Sequence, residues 1–126
     1  MTSRKPWIGQ SVRRRDGRAK LTGQTKYIDD IEFPDLIHGI TVRSRGPRSR
    51  IRGIQFENAP GVRWDEITVV TAQDIPVGGH NYIAMIQNDQ LVLAADLTSH
   101  PEEAVVLLAH PDKGMLEAAR LAVRIE

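Results

Sequence analysis

Along residues 1–24 the apolar positions follow neither a period of 3.6 nor one of 2, and Pro6, Gly9, Gly17 and Gly23 interrupt the segment. An extended arm is predicted there, anchored by Trp7 and Ile8, the large apolar residues of its first ten. From Ile37 the pattern changes. "IHGITVRS" is rich in β-branched residues, and "RSRIRGIQF" alternates Arg50, Arg52 and Gln55 with Ile51, Ile54 and Phe56 around Gly53. Two strands joined through "RGPRS" as a hairpin or wide connection are predicted.

"NAPGV" reads as a turn, and a short buried strand is predicted over Ile67–Thr71, stopped by Pro76. Gly78 and Gly79 mark a loop, and "QLVLAAD" is a further short apolar run. Ala104 to Ala109 shows no polar alternation, so both faces are expected to be buried, as in a central strand. After His110-Pro111, Asp112 is the candidate N-cap of a helix with Met115, Ala118, Ala119 and Leu121 or Ala122 on one face. "AVRIE" begins a closing strand. Several short strands with one clear helix near the end make the class α+β.

A chain of 126 residues has the length of one domain, and its 40% hydrophobic and 26% charged residues are ordinary for a globular protein. No apolar run approaches the roughly 20 residues that cross a bilayer. No apolar stretch follows the N-terminal arginines, so no targeting signal is read and the expected setting is cytoplasmic, away from membranes. Cysteine is absent, which excludes disulfides, thiolate nucleophiles and cysteine-ligated zinc or iron–sulfur sites within this sequence.

The net charge of +1 conceals an asymmetry. Residues 1–52 hold 13 of the 17 Lys and Arg against 5 acids, and residues 53–126 hold 4 against 11, giving +8 and −7. Complementary halves suit folding onto each other or facing an acidic neighbour. A nucleic-acid module using Arg13–Arg15 and Arg48–Arg52 is the alternative, disfavoured by the scarcity of aromatics for base stacking. A stand-alone interaction protein docking through strand edges is another.

Candidate chemistry is thin. His38, His80, His100 and His110 lack the spacing of a metal site. "VGGHN" lacks the lysine and helix start of a phosphate loop and reads as a plain turn. Asp29-Asp30 and Glu102-Glu103 are adjacent pairs, whose members on a strand point to opposite faces and serve as solvated or capping groups. No serine sits in a nucleophile elbow. Composition and spacing stop at an incomplete α+β domain.

The order of residues says more. Arg14, Asp16 and Gly17 are followed by Lys20, Thr22 and Gly23, then Tyr27, Asp29, Asp30 and Ile31, then Pro34, then Ile37, His38 and Gly39, and finally Arg43 and Ser44. This succession resembles the start of the molybdenum-binding subunits of the xanthine dehydrogenase and aldehyde oxidase family. Downstream, "PGV", "VVTAQDIP", Asn81 and "AVVLLAHPDKGMLEAARLAVRIE" continue the likeness, which covers about residues 8 to 126. Family members place Gly-Gln-Pro or Gly-Glu-Pro where this chain has Pro101, Glu102 and Glu103. They also carry an alanine-rich helix where it has "ENA", which leaves that helix open.

The resemblance implies an α/β hammerhead domain over residues 25–126 behind an arm of residues 1–24, non-catalytic and truncated at its C-terminal end. It implies no catalytic, metal or cofactor residue in this chain, with molybdopterin held by the complete enzyme. The implied partners are the remaining molybdenum-binding domains or subunit and iron–sulfur and FAD subunits. Structural roles follow for the motif: turn geometries or close approaches at Gly17 and Gly23, a packed ring with a paired hydroxyl at Tyr27, and Asp29 or Asp30 bonded to backbone amides or to an arginine such as Arg43.

Overall fold

A computed structural model describes residues 8–84 and 87–126. The chain divides into two compact units, Met1–Pro34 and Asp35–Glu126.

The first unit is more structured than the extended arm its sequence predicts. A short helix, α1, spans Gly17–Leu21, and Ile28–Asp30 forms one 3-10 turn. Alanine, lysine, leucine and arginine favour the helix, but five residues are too few to display a 3.6 period. Ile8 is 96% exposed, and Trp7 lies outside the described residues.

In the second unit, β1 (His38–Arg43), β4 (Thr68–Val70) and β6 (Ala104–His110) form an antiparallel sheet in the order β1–β6–β4. Two further antiparallel pairs join β2 (Ser49–Arg50) to β5 (Leu97–Thr98) and β3 (Ile54–Phe56) to β7 (Val123–Ile125). Helix α2 spans Lys113–Leu121. Of the hairpin or wide connection predicted here, the hairpin does not form: β1, β2 and β3 each take a non-local partner. The apolar β6 must sit between partners to bury its run, and it takes β1 for itself.

Ile40 and Val69 both face Leu108 in register, and Val42 faces Val106. The register slips between Val42 and Arg43, which pairs with Ala104. This bulge leaves Val105 as the extra residue and lets the consecutive Val105 and Val106 both be buried. The central placement of β6 agrees with its pattern, but Leu107, beside Thr41 and Val70, stays 36% exposed.

Met115, Leu116, Ala119 and Ala122 turn inward from α2 and its end, so Leu116 takes the place expected of Ala118, and Leu121 is 66% exposed. The Asp112 carboxylate caps α2, accepting from the Gly114 amide at 2.7 Å and the Met115 amide at 3.1 Å. Between β3 and β4 the chain runs through turns, so the helix that the resemblance left open does not form. There Trp64 meets Phe56 edge-on, ring centroids 5.1 Å apart, and its indole Nε1–H donates to the Glu57 carbonyl at 3.0 Å.

Candidate functional site

The motif residues of the first unit organise a helix end. Arg14 grips Asp16 with two bonds, Nε to Oδ1 at 2.6 Å and Nη2 to Oδ2 at 3.2 Å, and Lys20 Nζ stands 3.4 Å from Oδ2. The Arg14 guanidinium, with Lys20 and a backbone amide helping, holds the Asp16 carboxyl below its usual range. Gly23 lies in the left-handed region at φ +70°. The Gln24 amide donates to the Ala19 carbonyl at 2.8 Å and the Gly23 amide to Lys20 at 3.4 Å, the two bonds of a Schellman stop. Lys-x-Thr-Gly therefore has a physical reading: Thr22 ends the helix, donating its hydroxyl to the Arg18 carbonyl at 2.9 Å, and glycine supplies the reversal.

Gly17 opens α1 without a positive φ, and a Cβ there would meet Arg14 Cβ at an ordinary 3.4 Å, so neither geometry expected of this glycine is present. Tyr27 is 59% exposed rather than packed, with Lys20 Nζ 5.9 Å from its ring centroid. Asp30 Oδ2 accepts from the Tyr27 amide at 2.9 Å, whereas Asp29 has no side-chain bond among the described residues.

In the second unit the motif brackets β1. His38 begins the strand opposite His110, and Gly39 follows opposite Ala109. At the other end Arg43 donates to the Glu102 carbonyl at 2.8 Å, and Ser44 enters a buried polar knot. Its backbone amide donates to the Glu103 carbonyl at 2.9 Å, its hydroxyl donates to the His100 carbonyl at 3.3 Å, and the same hydroxyl accepts from the Glu103 amide at 3.1 Å. The buried Glu103 carboxylate accepts from the Ser99 amide. Glu102 points the other way, at φ +64°. Neither glutamate lies on a strand, so the alternation of faces does not apply; the pair serves as one capping and one solvated group, as expected, Glu103 holding backbone and Glu102 exposed.

Sequence reasoning gave no role to Thr98, whose buried hydroxyl serves the chain around Pro47 and Ser49. It noted Asn81 without a function. The Asn81 side chain donates to the Leu93 carbonyl at 2.7 Å and accepts from the Leu93 amide at 3.0 Å. This amide supplies the ladder that the apolar run at Leu93 otherwise lacks. The preceding "VGG" is the plain turn expected: Gly79 N–H donates to Pro76 O at 2.8 Å, with Gly78 at φ +88°.

Beside the knot lies an open groove of about 710 Å³, lined among others by Arg43, Arg45, Arg50, Arg120 and Glu102. Among the described residues no three His, Asp or Glu side chains converge on a metal position, and no buried side-chain nitrogen or oxygen lacks a partner. What the arrangement does chemically is fix backbone.

Residues 22–126 match the family model for aldehyde oxidase and xanthine dehydrogenase, a/b hammerhead domain. The chain belongs to this family. A probable xanthine dehydrogenase subunit from Bacillus subtilis is 34% identical over 116 residues, 90% of this chain and 15% of that protein. Among solved structures, a Cu,Mo-CO dehydrogenase matches with a TM-score of 0.77 at 25% identity, over 94% of this chain and 15% of the other. Quinoline 2-oxidoreductase from Pseudomonas putida 86 matches with a TM-score of 0.75 at 26% identity, over 98% and 16%.

The α+β class and the hammerhead expectation both hold, and the nucleic-acid alternative is not favoured. The hammerhead chain spans about 15% of the length of these relatives. Two relatives are named as subunits, the Bacillus subtilis protein and a 6-hydroxypseudooxynicotine dehydrogenase complex subunit gamma from Paenarthrobacter nicotinovorans. No helix among the described residues is long and apolar enough to cross a membrane.

Proposed function

We propose that this chain is the non-catalytic hammerhead layer of a molybdenum hydroxylase, a scaffold within the molybdenum-binding subunit in a cytoplasmic assembly. In this reading residues 1–24 are an arm leading into the hammerhead domain at 25–126. Molybdopterin is held by the remaining molybdenum-binding domains, and iron–sulfur and FAD subunits carry electrons away from a chain without cysteine. One observation carries the reading. The motif's buried hydroxyl and its main carboxylates are engaged in holding backbone or neighbouring side chains: Ser44 with His100 and Glu103, Asp16 with Arg14, Asp30 with Tyr27. The single Ser44 hydroxyl proton is donated to a backbone carbonyl and its oxygen accepts a backbone amide, so its hydrogen bonds serve the fold. Length supports the same reading, since the matched relatives are several times longer.

The test is to purify the chain alone and together with a co-expressed molybdopterin-binding portion of its enzyme. The chain alone is expected to carry no stoichiometric molybdenum and to reduce no dye with xanthine, an aldehyde or carbon monoxide, and to co-purify with that portion. Turnover by the chain alone, or one bound molybdenum per chain, would overturn the proposal, as would failure to associate while folded.

A further inference from the structure

We infer that the arginine-rich segment Arg43–Arg52 is a docking surface for an acidic stretch of polypeptide in the rest of the enzyme. The partner's identity rests on the function proposed above; the surface itself does not. Five arginines, Arg43, Arg45, Arg48, Arg50 and Arg52, stand within ten residues that contain no acid. All five are exposed, and none has a carboxylate within ion-pair distance among the described residues. Arg43 alone makes a side-chain bond, to a backbone carbonyl. Arg43, Arg45 and Arg50 open onto the groove, whose wall also carries Glu57, Glu102 and Glu126, of which Glu57 pairs with Arg124 and Glu126 accepts from Gln55.

The +8 and −7 halves are thus joined by strand pairing but not by ion pairs. Every side-chain ion pair among the described residues joins groups within one half, as in Arg14–Asp16, Arg63–Glu66 and Arg124–Glu57. The acids of the second half are largely spoken for. Glu57, Glu66 and Glu117 hold arginines, and Asp74, Glu103 and Asp112 hold backbone amides. A second copy would offer seven carboxylates without a hydrogen-bond or ion-pair partner among the described residues, Asp29, Glu32 and Asp35 among them, so self-association is read as a competing outcome of the test. Nucleic acid is poorly served, because no Phe, Tyr or Trp lies between Phe33 and Phe56 for a base to stack on. Guanidinium groups pair carboxylates in planar, two-bond contacts, and polypeptide outside this 15% of the relatives' length is the source of such carboxylates.

The full chain is titrated with a labelled Asp/Glu peptide of about a dozen residues and with a single-stranded oligonucleotide of about 20 nucleotides, at roughly 50 and 200 mM salt. Wild type is compared with R45E/R50E and with the control R13E/R15E, each checked for an unchanged circular dichroism spectrum. Expected are salt-sensitive peptide binding, weakened about tenfold in R45E/R50E and little changed in R13E/R15E, and weaker oligonucleotide binding. Should R45E/R50E misfold, R45Q/R50Q is read instead, with a loss of about threefold.

Absent peptide binding, equal losses in the two variants, or an oligonucleotide bound more tightly than the peptide overturns the inference. Concentration-dependent self-association abolished by R45E/R50E assigns the surface to a second copy and also overturns it. The co-purification separates the two readings. If wild type fails to associate with the molybdopterin-binding portion, the proposed function fails; if R45E/R50E associates as well as wild type, this inference alone fails.

Discussion

Glu102 holds φ at +64° at the corner where the chain turns from Pro101 into β6. Its amide donates to the Ser44 carbonyl and its carbonyl accepts from Arg43, so the backbone is held on both sides while the side chain has no partner among the described residues. A left-handed conformation costs a residue with a Cβ about 1–2 kcal/mol, part of which glycine would return as unfolded-chain entropy. Glu102→Gly is therefore expected to raise stability by about 0.5–1 kcal/mol, read as a higher urea midpoint with an unchanged slope; a lower midpoint would show that the carboxylate has a stabilising role. Two adjacent glutamates were legible as solvated or capping groups, although they lie in the turn before β6 and not on a strand. Which of them is buried depended on where Ser44 and Ser99 lie in space, and no spacing along the chain carries that. Asn81 was visible as a residue, but its service to Leu93, twelve positions on, was not.

At the scale of elements, α2 was legible because its signals are local: Asp112 as cap, an apolar face, and the strand break at Pro111. The Met115 and Gly114 amides hold the Asp112 carboxyl below its usual range. A carboxyl depressed in the folded state contributes stability above its unfolded pKa, and that contribution disappears as pH falls through the folded value. Asp112→Ala is expected to lower the melting midpoint on the order of 5 °C at neutral pH. The gap between the variant and wild type should be full above about pH 5 and narrow below about pH 4. Melting curves across that range check it, and a gap independent of pH would remove the carboxylate from the account. Helix α1 escaped a reading by period because it spans little more than one turn; its legible trace was the Thr22-Gly23 stop.

For the molecule as a whole, β6 is the organising element. It takes β1 on one side and β4 on the other, and α2 packs its buried face into the same core. Leu108 is fully buried and meets Ile40 and Val69 across both ladders. Leu108→Ala is expected to cost about 2–5 kcal/mol, a large share of what a domain of this size has. Chemical denaturation should show the loss as a shifted midpoint, and a cost well under 1 kcal/mol would mean that the site collapses around the cavity. Family membership was legible from the spaced motif between Arg14 and Ser44. Within the first unit its early part stops a helix, and within the second its last part ends a strand.

What the amino-acid order determined unaided was whatever is encoded within a few residues: the apolar run of β6, the capped α2, the turn at Gly78-Gly79 and the family motif. Tertiary structure alone decided that β1 pairs with β6 and β3 with β7, that Val105 and Val106 are buried together at a bulge, and that Glu103 is buried while Arg45 and Arg50 stay unpaired. The physical reason is separation. Caps and turns are satisfied by neighbours in the chain, whereas ladders and the Ser44–Glu103 bonds join groups distant in the sequence, whose meeting depends on the packing of the entire core.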